Sequence, residues 1–552
     1  MAPILAEVQR SQKRYWVVFV TRSCLYRRVA VATDSDRALR RGQPMSSVLI
    51  VGAGPTGLTL ACELARRGTA VRIVERSPEP QRGSRGKGLN ARSLEVFEGM
   101  GILDRLQAFG RDDLFFRKYR DGEAVSDTDP FEKFAPAPGT PYVRGLLIAQ
   151  WNVERVLRDR LAEWGVRVEF GTELTGFEQA GDVVTATLAD GERIEVSYLV
   201  GCDGGRSGIR KALPITFEGR TLQEQTMVIG DVEAEGLSQE LWHQWIDADG
   251  GIMLCPLPGS SVFQLQASPE RDAAGLRVEA SLESFQRLFD RHARIPGIKL
   301  TNPAWISTYH VNERIADRFR VGRVLLAGDA AHVHSIAGGL GMNTGIQDAY
   351  NLGWKLALAA AGRAGDGLVD TYEEERLPIA AWTIDTSGEL WRAVSRSIRT
   401  AGSGTEGVIT PDILGLRLGY RWGSLAVERD ARTDDAPLRA GDRAPDAPLR
   451  DADGAAVRLF EIFSGTHFTL LGFGAASAAA LRESTERHGD SVWSYLIGSG
   501  PGALDDFEGH AAREYGVTGD ALVLVRPDGH IALTARAGDA RAVHDYLGSL
   551  RG

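Results

Sequence analysis

The chain has 552 residues, of which 43% are hydrophobic and 25% charged, and its formal net charge is −9. This length predicts two to four domains, each able to bury a core. Because binding to nucleic acid needs a clustered excess of Lys and Arg, the negative charge argues against a nucleic-acid partner. No apolar run approaches the roughly 20 residues that span a bilayer, so no membrane partner is expected.

The four cysteines, Cys24, Cys62, Cys202 and Cys255, are scattered and form neither a CxxC pair nor a Cys/His spacing typical of metal sites. Neither a disulfide framework nor a metal site is predicted, and a reduced, cytoplasmic location fits best. Cys202 has no histidine partner in a recognisable frame, so we interpret it as a small buried residue.

Residues 1–44 carry nine Lys or Arg against three acidic residues and one short apolar run, Trp16 to Val20. That run is too short for the core of a signal peptide. We therefore expect a disordered extension, with a basic targeting arm as the alternative.

From Ser47 onward, an apolar strand, a Gly52-x-Gly54-x-x-Gly57 turn, an amphipathic helix and a second strand ending at Glu75 follow one another. In such a unit the glycines permit a tight turn, close approach of a pyrophosphate and close helix packing. An acidic residue at the end of the second strand can hold ribose hydroxyls. The pattern predicts one dinucleotide site.

Two later segments have a similar strand–turn–helix pattern. In residues 322–356, an apolar run is followed by a glycine-rich break with Asp329 and then by a helical pattern from about Met342. In residues 198–210, an apolar strand runs into the turn Asp203-Gly204-Gly205. A helix N-terminus beside a glycine-rich turn favours a negatively charged group, so both segments are candidate cofactor contacts.

Between these segments, Arg85 lies in a basic, glycine-containing loop before a helix that is predicted from about Asn90. It could reach a pyrophosphate, or it could belong to a solvated basic surface. Gln150 precedes a helix predicted over residues 151–165.

Residues 217–310 show the short alternating segments of an antiparallel sheet, with a helical stretch near 282–292. The segment Trp242 to Trp245 and the cluster of Met253, Leu257, Phe263 and Trp305 are aromatic or apolar. We expect most of these side chains in the core, although one face of such a sheet could form an aromatic-substrate pocket.

Residues 365–378 and 379–399 predict helices, and residues 401–407 and 432–454 read as linkers. The C-terminal unit shows strands at 468–473 and 492–497, helices near 478–488 and 510–515, a hairpin with an Asp528-Gly529 turn, and a last helix at 540–550. This order resembles the thioredoxin fold. The loop 474–477 has no cysteine, which excludes redox exchange there and leaves a structural or oligomer-forming role.

With the Gly52-x-Gly54-x-x-Gly57 turn, Cys202-Asp203-Gly204 and Gly328-Asp329 in this order, the chain closely resembles the FAD-dependent aromatic hydroxylases, the single-component flavoprotein monooxygenases. The resemblance covers about 45–399, and the cysteine-free tail is similar to that of the branch acting on aromatic polyketides and bulky phenols. It implies an α/β fold with a discontinuous Rossmann-type FAD-binding domain (45–216 and 311–399), an inserted antiparallel-sheet substrate domain (217–310), a linker region (400–454) and a thioredoxin-like domain (455–552).

The resemblance implies that NAD(P)H reduces the FAD, that O₂ forms a flavin C4a-hydroperoxide, and that one oxygen atom is transferred to an aromatic, polycyclic polyketide-type substrate, as in antibiotic biosynthesis. The implied partners are this small aromatic molecule and O₂, and the protein would be a monomer or a homodimer. Three alternatives stay open: Baeyer–Villiger-type or other oxidative flavin chemistry, a flavin reductase or dehydrogenase, and an FAD- and ligand-binding protein with impaired turnover.

The resemblance also implies roles for single residues, although it identifies no catalytic residue and no metal ligand. Pyrophosphate, ribose, ribityl and flavin contacts are expected at Gly52, Gly54, Gly57, Glu75, Arg76, Arg85, Gln150, Asp203, Gly204, Asp329, Gly341, Met342 and Asn343. Members carry a proline where Ile336 stands, which leaves the rigidity of that loop in question. His332 is expected to make a structural hydrogen bond, and the role of His334 is open.

Overall fold

The computed structural model describes residues 47–397, 404–430, 438–500 and 502–551. The predicted extension 1–44, the end of the helix predicted to reach residue 399, and residues 401–403 and 432–437 of the predicted linkers lie outside the described residues. Among the helices of the described ranges, none combines the length and the apolar character that a membrane span requires.

The strands, in chain order, are β1 Ser47–Val51, β2 Ala70–Glu75, β3 Gly88–Leu89, β4 Phe115–Arg120, β5 Glu123–Thr128, β6 Leu146–Leu147, β7 Val168–Phe170, β8 Leu174–Ala180, β9 Val183–Leu188, β10 Arg193–Val196, β11 Tyr198–Gly201, β12 Phe217–Ala234, β13 Leu241–Asp247, β14 Gly250–Pro256, β15 Val262–Ala267, β16 Leu300–Ala316, β17 Arg320–Val321, β18 Val324–Leu326, β19 His332–Val333, β20 Val427–Glu428, β21 Pro448–Arg450, β22 Ala456–Arg458, β23 Phe468–Phe473, β24 Val492–Ile497, β25 Ala521–Val525 and β26 Ile531–Arg536.

The α-helices are α1 Pro55–Ala65, α2 Ala91–Gly99, α3 Leu103–Gln107, α4 Gln150–Glu163, α5 Gly208–Ala212, α6 Leu282–Ala293, α7 Leu340–Ala360, α8 Asp366–Ser397, α9 Leu459–Phe463, α10 Ala478–His488, α11 His510–Glu514 and α12 Ala540–Ser549. Short 3₁₀ turns lie at Gly328–Ala330, Ala337–Gly339, Glu406–Val408, Pro411–Leu414, Ala475–Ser477 and Gly489–Ser491.

The dinucleotide-binding half is built on a six-stranded sheet in the order β17-β18-β11-β1-β2-β7. Strand β1 pairs in parallel with both β2 and β11, and β11 pairs in parallel with β18. Val48, Leu49 and Ile50 of β1 are fully buried, as expected for a strand covered on both faces. This is the predicted Rossmann-type arrangement, and it brings the carboxyl ends of β1, β11 and β18 to one edge.

The second large sheet has eight strands in the order β19-β16-β12-β15-β14-β13-β4-β5. The predicted range 217–310 was too narrow for it, because β4 and β5 (115–128) and the strand ends beyond residue 310 also belong to this sheet. The missed signal is the Asp121-Gly122 turn between two short runs, a dipeptide typical of hairpins. One face of the sheet packs against α6 through Phe285 and Phe289.

The C-terminal unit contains a five-stranded sheet in the order β20-β26-β25-β23-β24. Its strands and helices follow the order that the sequence predicts, with β23 parallel to β24 and antiparallel to β25. The linker prediction for 400–454 was wrong in its described part. There β20 pairs with β26, and Leu438, Ala440 and Ala447 are buried in the core of this unit, because their apolar side chains cover the sheet.

The two helices predicted over 365–378 and 379–399 are a single helix, α8, with Pro378 inside it. The prediction ended the first helix at the proline, which lacks an N–H group. Extensive tertiary packing overrides that local preference, since Tyr372, Glu375, Arg376 and Ile379 on both sides of the proline are buried.

Candidate functional site

The glycine turn after β1 is tightly packed at two positions and open at the third. A Cβ atom on Gly52 would overlap the carbonyl oxygen of Cys202, and one on Gly57 would overlap the carbonyl oxygen of Gly52. Gly54 has no heavy atom within 4 Å of the place where its Cβ would lie. The protein therefore leaves free space beside Gly54, at the N-terminus of α1.

Glu75 lies at the end of β2, next to this turn. Its Oε2 accepts a hydrogen bond from the Ala53 N–H at 2.9 Å, and its Oε1 accepts one from the Ser77 N–H at 2.9 Å. The side chain is half-buried, and the neighbouring Arg76 is exposed. Helix α1 has no side-chain cap and no acidic residue in its first turn, so its free N–H groups favour an anion at this place.

Asp203 and Gly204 follow β11 directly, and the N–H of Cys202 donates to the carbonyl of Val51 at 2.8 Å. The Oδ2 atom of Asp203 accepts the N–H of Gly208 at 2.7 Å, which orders the start of the short helix α5. Its Oδ1 atom has no hydrogen-bond partner within the part of the chain that the structure describes. One oxygen thus supports the turn, and the other is available for a ligand.

Helix α7 begins beside the same edge. Gly338 and Gly339 have φ values of 78° and 63°, and they turn the chain into the helix at Leu340, two residues before the predicted start. The first turn of α7 has neither a side-chain cap nor an acidic residue. Thr56 of α1 lies between Gly328 and Gly345, so both helix starts and the Gly328-Asp329 turn come together.

Asp329 has an exposed side chain in this cleft. The protein atoms around the carboxyl group displace part of its water and raise its pKa, while His332 and Arg85 act to lower that pKa. Arg85 itself is exposed. The carboxylate of Asp329 can therefore accept hydrogen bonds from a ligand that enters the cleft.

The loop 84–88 is held by Gln150 at the start of α4. The Gln150 Oε1 atom accepts the N–H of Gly86 at 2.9 Å, and the Gln150 N–H donates to the Gly86 carbonyl at 3.0 Å. The thioether of Met342 lies beside the Gln150 side chain, and a Cβ on Gly86 would approach its sulfur to 3.3 Å. Gln150, Gly86 and Met342 therefore form one contiguous wall.

Asn343, one of the expected cofactor contacts, uses its side chain for bonds within the protein. The Oδ1 atom accepts the N–H of Asn90 at 2.9 Å, and Nδ2 donates to the carbonyls of Gly88 at 3.1 Å and Gly339 at 2.7 Å. The residue is buried. Asn343 thus fastens the loop before α2 to the N-terminus of α7.

Comparison with known proteins identifies two families that together cover most of the chain. Residues 45–387 match the FAD binding domain family, and residues 438–552 match the family described as aromatic-ring hydroxylase, C-terminal. The chain belongs to the flavin-dependent aromatic monooxygenases. It is an enzyme of the FAD-dependent type, and NAD(P)H is the co-substrate typical of this family.

Three relatives illustrate the range of this family. A flavin-dependent monooxygenase of Mycobacteroides abscessus is 42% identical over 91% of this chain and 99% of its own. Pentachlorophenol 4-monooxygenase of Sphingobium chlorophenolicum is 34% identical over 89% of this chain and 94% of its own. The solved structure of aklavinone-11 hydroxylase with FAD and aklavinone has a TM-score of 0.77 and 30% identity, covering 92% of this chain and 99% of that one.

The histidines of this monooxygenase differ in their surroundings. His332 contacts Asp348 through Nε2 at 2.7 Å, and Asp348 also accepts a bond from the Arg376 side chain at 2.7 Å. The charges of Arg376 and His332 lower the pKa of Asp348 to about 2, although burial alone would raise that pKa. This contact is the structural hydrogen bond that the sequence suggested for His332.

His334 lies close to the N-terminus of α7. Its Nδ1 atom is 2.9 Å from the Ser335 carbonyl oxygen, and a Cβ on Gly341 would approach its ring to 3.4 Å. Burial and, to a smaller extent, the neighbouring His332 lower the pKa of His334 to about 4. The ring is neutral at physiological pH, and its buried Nε2 has no partner within the described residues.

The large sheet turns a polar and aromatic face toward the loop 84–88. The register aligns Trp305, Asp231, Gln264 and Cys255 in one row across β16, β12, β15 and β14. The Ser84 N–H donates to Asp231, and the Gln264 amide donates to the Ser84 carbonyl. Burial raises the pKa of Asp231 to about 6. The same loop thus contacts both the Gln150–Met342 wall and the sheet.

A cavity of about 440 Å³ adjoins this polar row. Its lining includes Thr226, Met227, Ile246, Met253, Gln266 and Trp391. Of the aromatic residues that the sequence suggested for a pocket, Trp242 and Trp305 lie on the strand positions of this face. Trp245 and Phe263 instead pack in the core under α6, because side chains alternate between the two faces of a strand.

Proposed function

We propose that this protein uses NAD(P)H and O₂ to hydroxylate an aromatic, polycyclic polyketide-type substrate beside a bound FAD. One observation carries the proposal. The loop 84–88 joins the two halves of the site, since Gly86 lies against Gln150 and Met342 while Ser84 is bonded to Asp231 on the sheet. A flat cofactor that lies along Gln150, Gly86 and Met342 would be next to the cavity on the sheet.

The residues around the glycine turn fit FAD. The open space at Gly54 and the uncapped N-terminus of α1 suit a pyrophosphate, with Gly52 and Gly57 shaping the turn and Arg85 and Arg76 supplying positive charge. Glu75 lies where it can accept ribose hydroxyls, and Asp329 faces the cleft where it can accept those of the ribityl chain.

The remaining assignments concern the flavin end. Gly341, Met342 and Asn343 would donate backbone N–H groups to the pyrimidine edge, since the first turn of α7 has no side-chain cap. Gln150 would orient the loop that faces the ring. The unpartnered Oδ1 of Asp203, with Gly204 beside it, would accept a hydrogen bond from FAD or from the nicotinamide nucleotide.

FAD, when bound, supplies hydride acceptance from NAD(P)H and the activation of O₂. The protein supplies orientation and electrostatics. The N–H groups and dipole of α7 favour negative charge at the flavin end, and they are fixed in place by the Asn343 side chain before any ligand arrives. Met227, Met253 and Trp391 give the cavity an apolar part, and Thr226 and Gln266 give it polar groups.

The size and lining of the cavity support a bulky aromatic substrate. A volume of about 440 Å³ lies within the range usual for small-molecule sites, which is roughly 300–1,000 Å³. Relatives act on phenolic molecules of different size, pentachlorophenol and aklavinone by their names. These two compounds are therefore suitable first candidates.

The test uses purified, FAD-loaded protein with NADH or NADPH, aklavinone or pentachlorophenol, and ¹⁸O₂. We expect a product that contains one labelled oxygen and NAD(P)H consumption that depends on the aromatic compound. Fragmentation of the product distinguishes a ring hydroxyl from a Baeyer–Villiger ester. NAD(P)H consumption that ignores the aromatic compound and yields only hydrogen peroxide, across a panel of phenols and polycyclic polyketides, would contradict the proposal.

A further inference from the structure

Lys87 projects from the loop 84–88 onto the polar row of the sheet. Its Nζ atom donates to the Oε1 of Gln264 at 2.7 Å and lies 4.4 Å from the centre of the Trp242 ring. The same Gln264 oxygen accepts a bond from Gln266, which lines the cavity. The ammonium group therefore lies at the row of Gln264, and the cavity lining begins at the next row of the same face, about 7 Å further along the strands.

Lys87 differs from the other deeply placed cations in its partners. Lys355, Arg376 and Arg526 are fully buried, and each contacts at least one carboxylate at 2.7 Å or less. Within the described residues, the Lys87 ammonium has only a neutral amide oxygen and an aromatic ring as partners. An ammonium group has three N–H donors, so two of them are left for another acceptor.

The surroundings of Lys87 favour an incoming negative charge. Burial lowers the pKa of Lys87, and Cys255 and Asp231 oppose this effect only in part. Asp231 already accepts the N–H of Ser84. Because Lys87 is partly withdrawn from water, a counter-charge that comes close would stabilise its positive charge.

Lys87 is also accessible. Its side chain is only half-buried, and its neighbour Gly86 lies against Met342 on the flavin side. The cavity lining begins one row of the sheet away, at Gln266, so a ligand that extends from the cavity past Gln266 would meet the ammonium group. Lys87 lies between the Gln150–Met342 wall and the sheet.

We propose that Lys87 binds the ionised oxygen of the substrate, a phenolate or an enolate conjugated to the ring that is hydroxylated. This assignment rests on the proposed function and narrows its substrate class to acidic phenols and enolised polycyclic ketones. An ionised oxygen donates electron density to the ortho and para carbons, which makes the ring a better acceptor of an electrophilic oxygen atom. Lys87 would hold the substrate in that form and orient it, with Trp242 beneath the ammonium group.

The test measures binding without turnover, so it is independent of the ¹⁸O₂ experiment. The probe is alizarin, a tricyclic hydroxyanthraquinone whose phenol and phenolate forms have different visible spectra. It is titrated with pH while bound to the oxidised, FAD-loaded protein. We expect the wild-type protein to lower the apparent pKa of the bound dye by about one unit, and Lys87→Met to abolish this shift and weaken phenolate binding about tenfold. Lys87→Arg should retain part of the shift.

Two control variants separate Lys87 from its surroundings. Lys118→Met removes a cation from the same face of the sheet, but one that Glu406 already pairs, so the shift should remain. Asp231→Asn removes the nearest titrating carboxyl group while it keeps an acceptor for Ser84, and it should leave the shift in place or enlarge it. The flavin absorbance and the melting temperature of each variant report whether it is folded.

An unshifted dye pKa in the wild-type protein would overturn the assignment. A Lys87→Met variant that binds the phenolate as tightly as the wild type and keeps the shift would overturn it as well. Neither result bears on oxygen transfer, which the labelled-oxygen experiment decides separately. A loss of labelled product in the wild-type protein would count against the proposed function alone.

Discussion

Gly54 and Gly57 belong to one sequence motif, yet the structure gives them different surroundings. A side chain at Gly57 would overlap the carbonyl oxygen of Gly52, whereas Gly54 faces open space. The backbone φ of Gly54 is −72°, a value that any residue adopts. The absence of a side chain at Gly57 thus serves the packing of α1, and at Gly54 it serves a ligand.

Gly54→Val should therefore yield a folded protein that has lost its FAD. The side chain fills only the space where the pyrophosphate is proposed to lie, so we expect a melting temperature close to that of the apoprotein and no flavin absorbance after gel filtration. Gly57→Val serves as the control, because it should destabilise the fold itself through backbone overlap. A Gly54→Val protein that stays yellow would contradict the proposed pyrophosphate site.

Ile336 stands where the resemblance leads us to expect a proline, and its backbone conformation is compatible with one. Its φ and ψ are −74° and −11°, and proline fixes φ near −65°. Its side chain packs against the cluster that contains Met227, Leu340 and Trp391. Packing of a larger apolar side chain therefore holds the turn that a proline ring would otherwise hold.

At the scale of elements, the site depends on how the loop 84–90 is fastened to α7. The Asn343 side chain makes three hydrogen bonds that no other described side chain duplicates, to the backbone of Asn90, Gly88 and Gly339. Because this region is largely buried, removal of the amide takes the side-chain partner from the Asn90 N–H group and from the carbonyl oxygens of Gly88 and Gly339. The position of the loop beside the flavin end then depends on weaker contacts.

Asn343→Ala should lower the free energy of unfolding by about 1–3 kcal/mol, the cost of buried polar groups without partners. It should also weaken FAD binding, since the loop that faces the cofactor is released. Urea unfolding and fluorescence titration with FAD measure the two effects. Thr344→Val is the matched control, because Thr344 donates only to the Leu340 carbonyl within the same helix. Equal effects of the two substitutions would contradict the role of Asn343.

Elements whose signals are local were predictable from the sequence. The glycine turn, the strands of the C-terminal unit and the hairpin around Gly529 all follow from runs of fewer than 15 residues. The partners of Asn343 and Lys87 were not predictable. Asn90 is 253 residues from Asn343 along the chain, and Gln264 is 177 residues from Lys87. Such contacts are products of the tertiary fold, and no local pattern encodes them.

The turn Asp528-Gly529 also shows what a local sequence pattern leaves undetermined. The dipeptide correctly predicts a hairpin turn, and such turns usually face solvent. Here Asp528 is 1% exposed and accepts bonds from Arg526 at 2.5 Å and Trp354 at 3.0 Å. The residue types predict the local turn, whereas the bonds of the Asp528 side chain to Arg526 and Trp354 depend on the tertiary fold.

At the scale of the whole molecule, a buried ionic cluster joins α7, α8 and the C-terminal sheet. Glu375 of α8 contacts Lys355 at 2.6 Å and Arg526 at 2.6 Å, and all three side chains are fully buried. The two cations lower the pKa of Glu375 to about 2, although burial opposes the shift. Arg526 also contacts Asp528, which completes the cluster.

This pKa shift predicts how stability depends on pH. The folded-state pKa of Glu375 is about 2 and its ordinary value is 4.5, so the unfolded chain binds more protons between these values. The stabilisation is present above about pH 4.5 and is lost as the pH falls toward 2. Asp348 contributes in the same direction, since its pKa is also lowered to about 2 from 3.8.

Glu375→Gln should cost about 3–5 kcal/mol at pH 7, because it leaves Lys355 and Arg526 without their shared carboxylate. It should also flatten the fall in stability between pH 4.5 and 3, measured by urea unfolding at a series of pH values. Glu389→Gln, at an exposed position of the same helix, should change stability by less than about 0.5 kcal/mol. An unchanged pH profile in Glu375→Gln would show that the carboxylate is not the titrating group.

Helix α7 extends from the glycine turn at Gly338-Gly339 to the core of the C-terminal unit, about 30 Å for its 21 residues. Near its other end, Trp354 packs against Phe468 of β23 and donates to Asp528. A chain cut between α8 and the C-terminal sheet would uncover Trp354 and part Glu375 from Arg526. The two units therefore depend on each other for the burial of one tryptophan and for the neutralisation of one carboxylate.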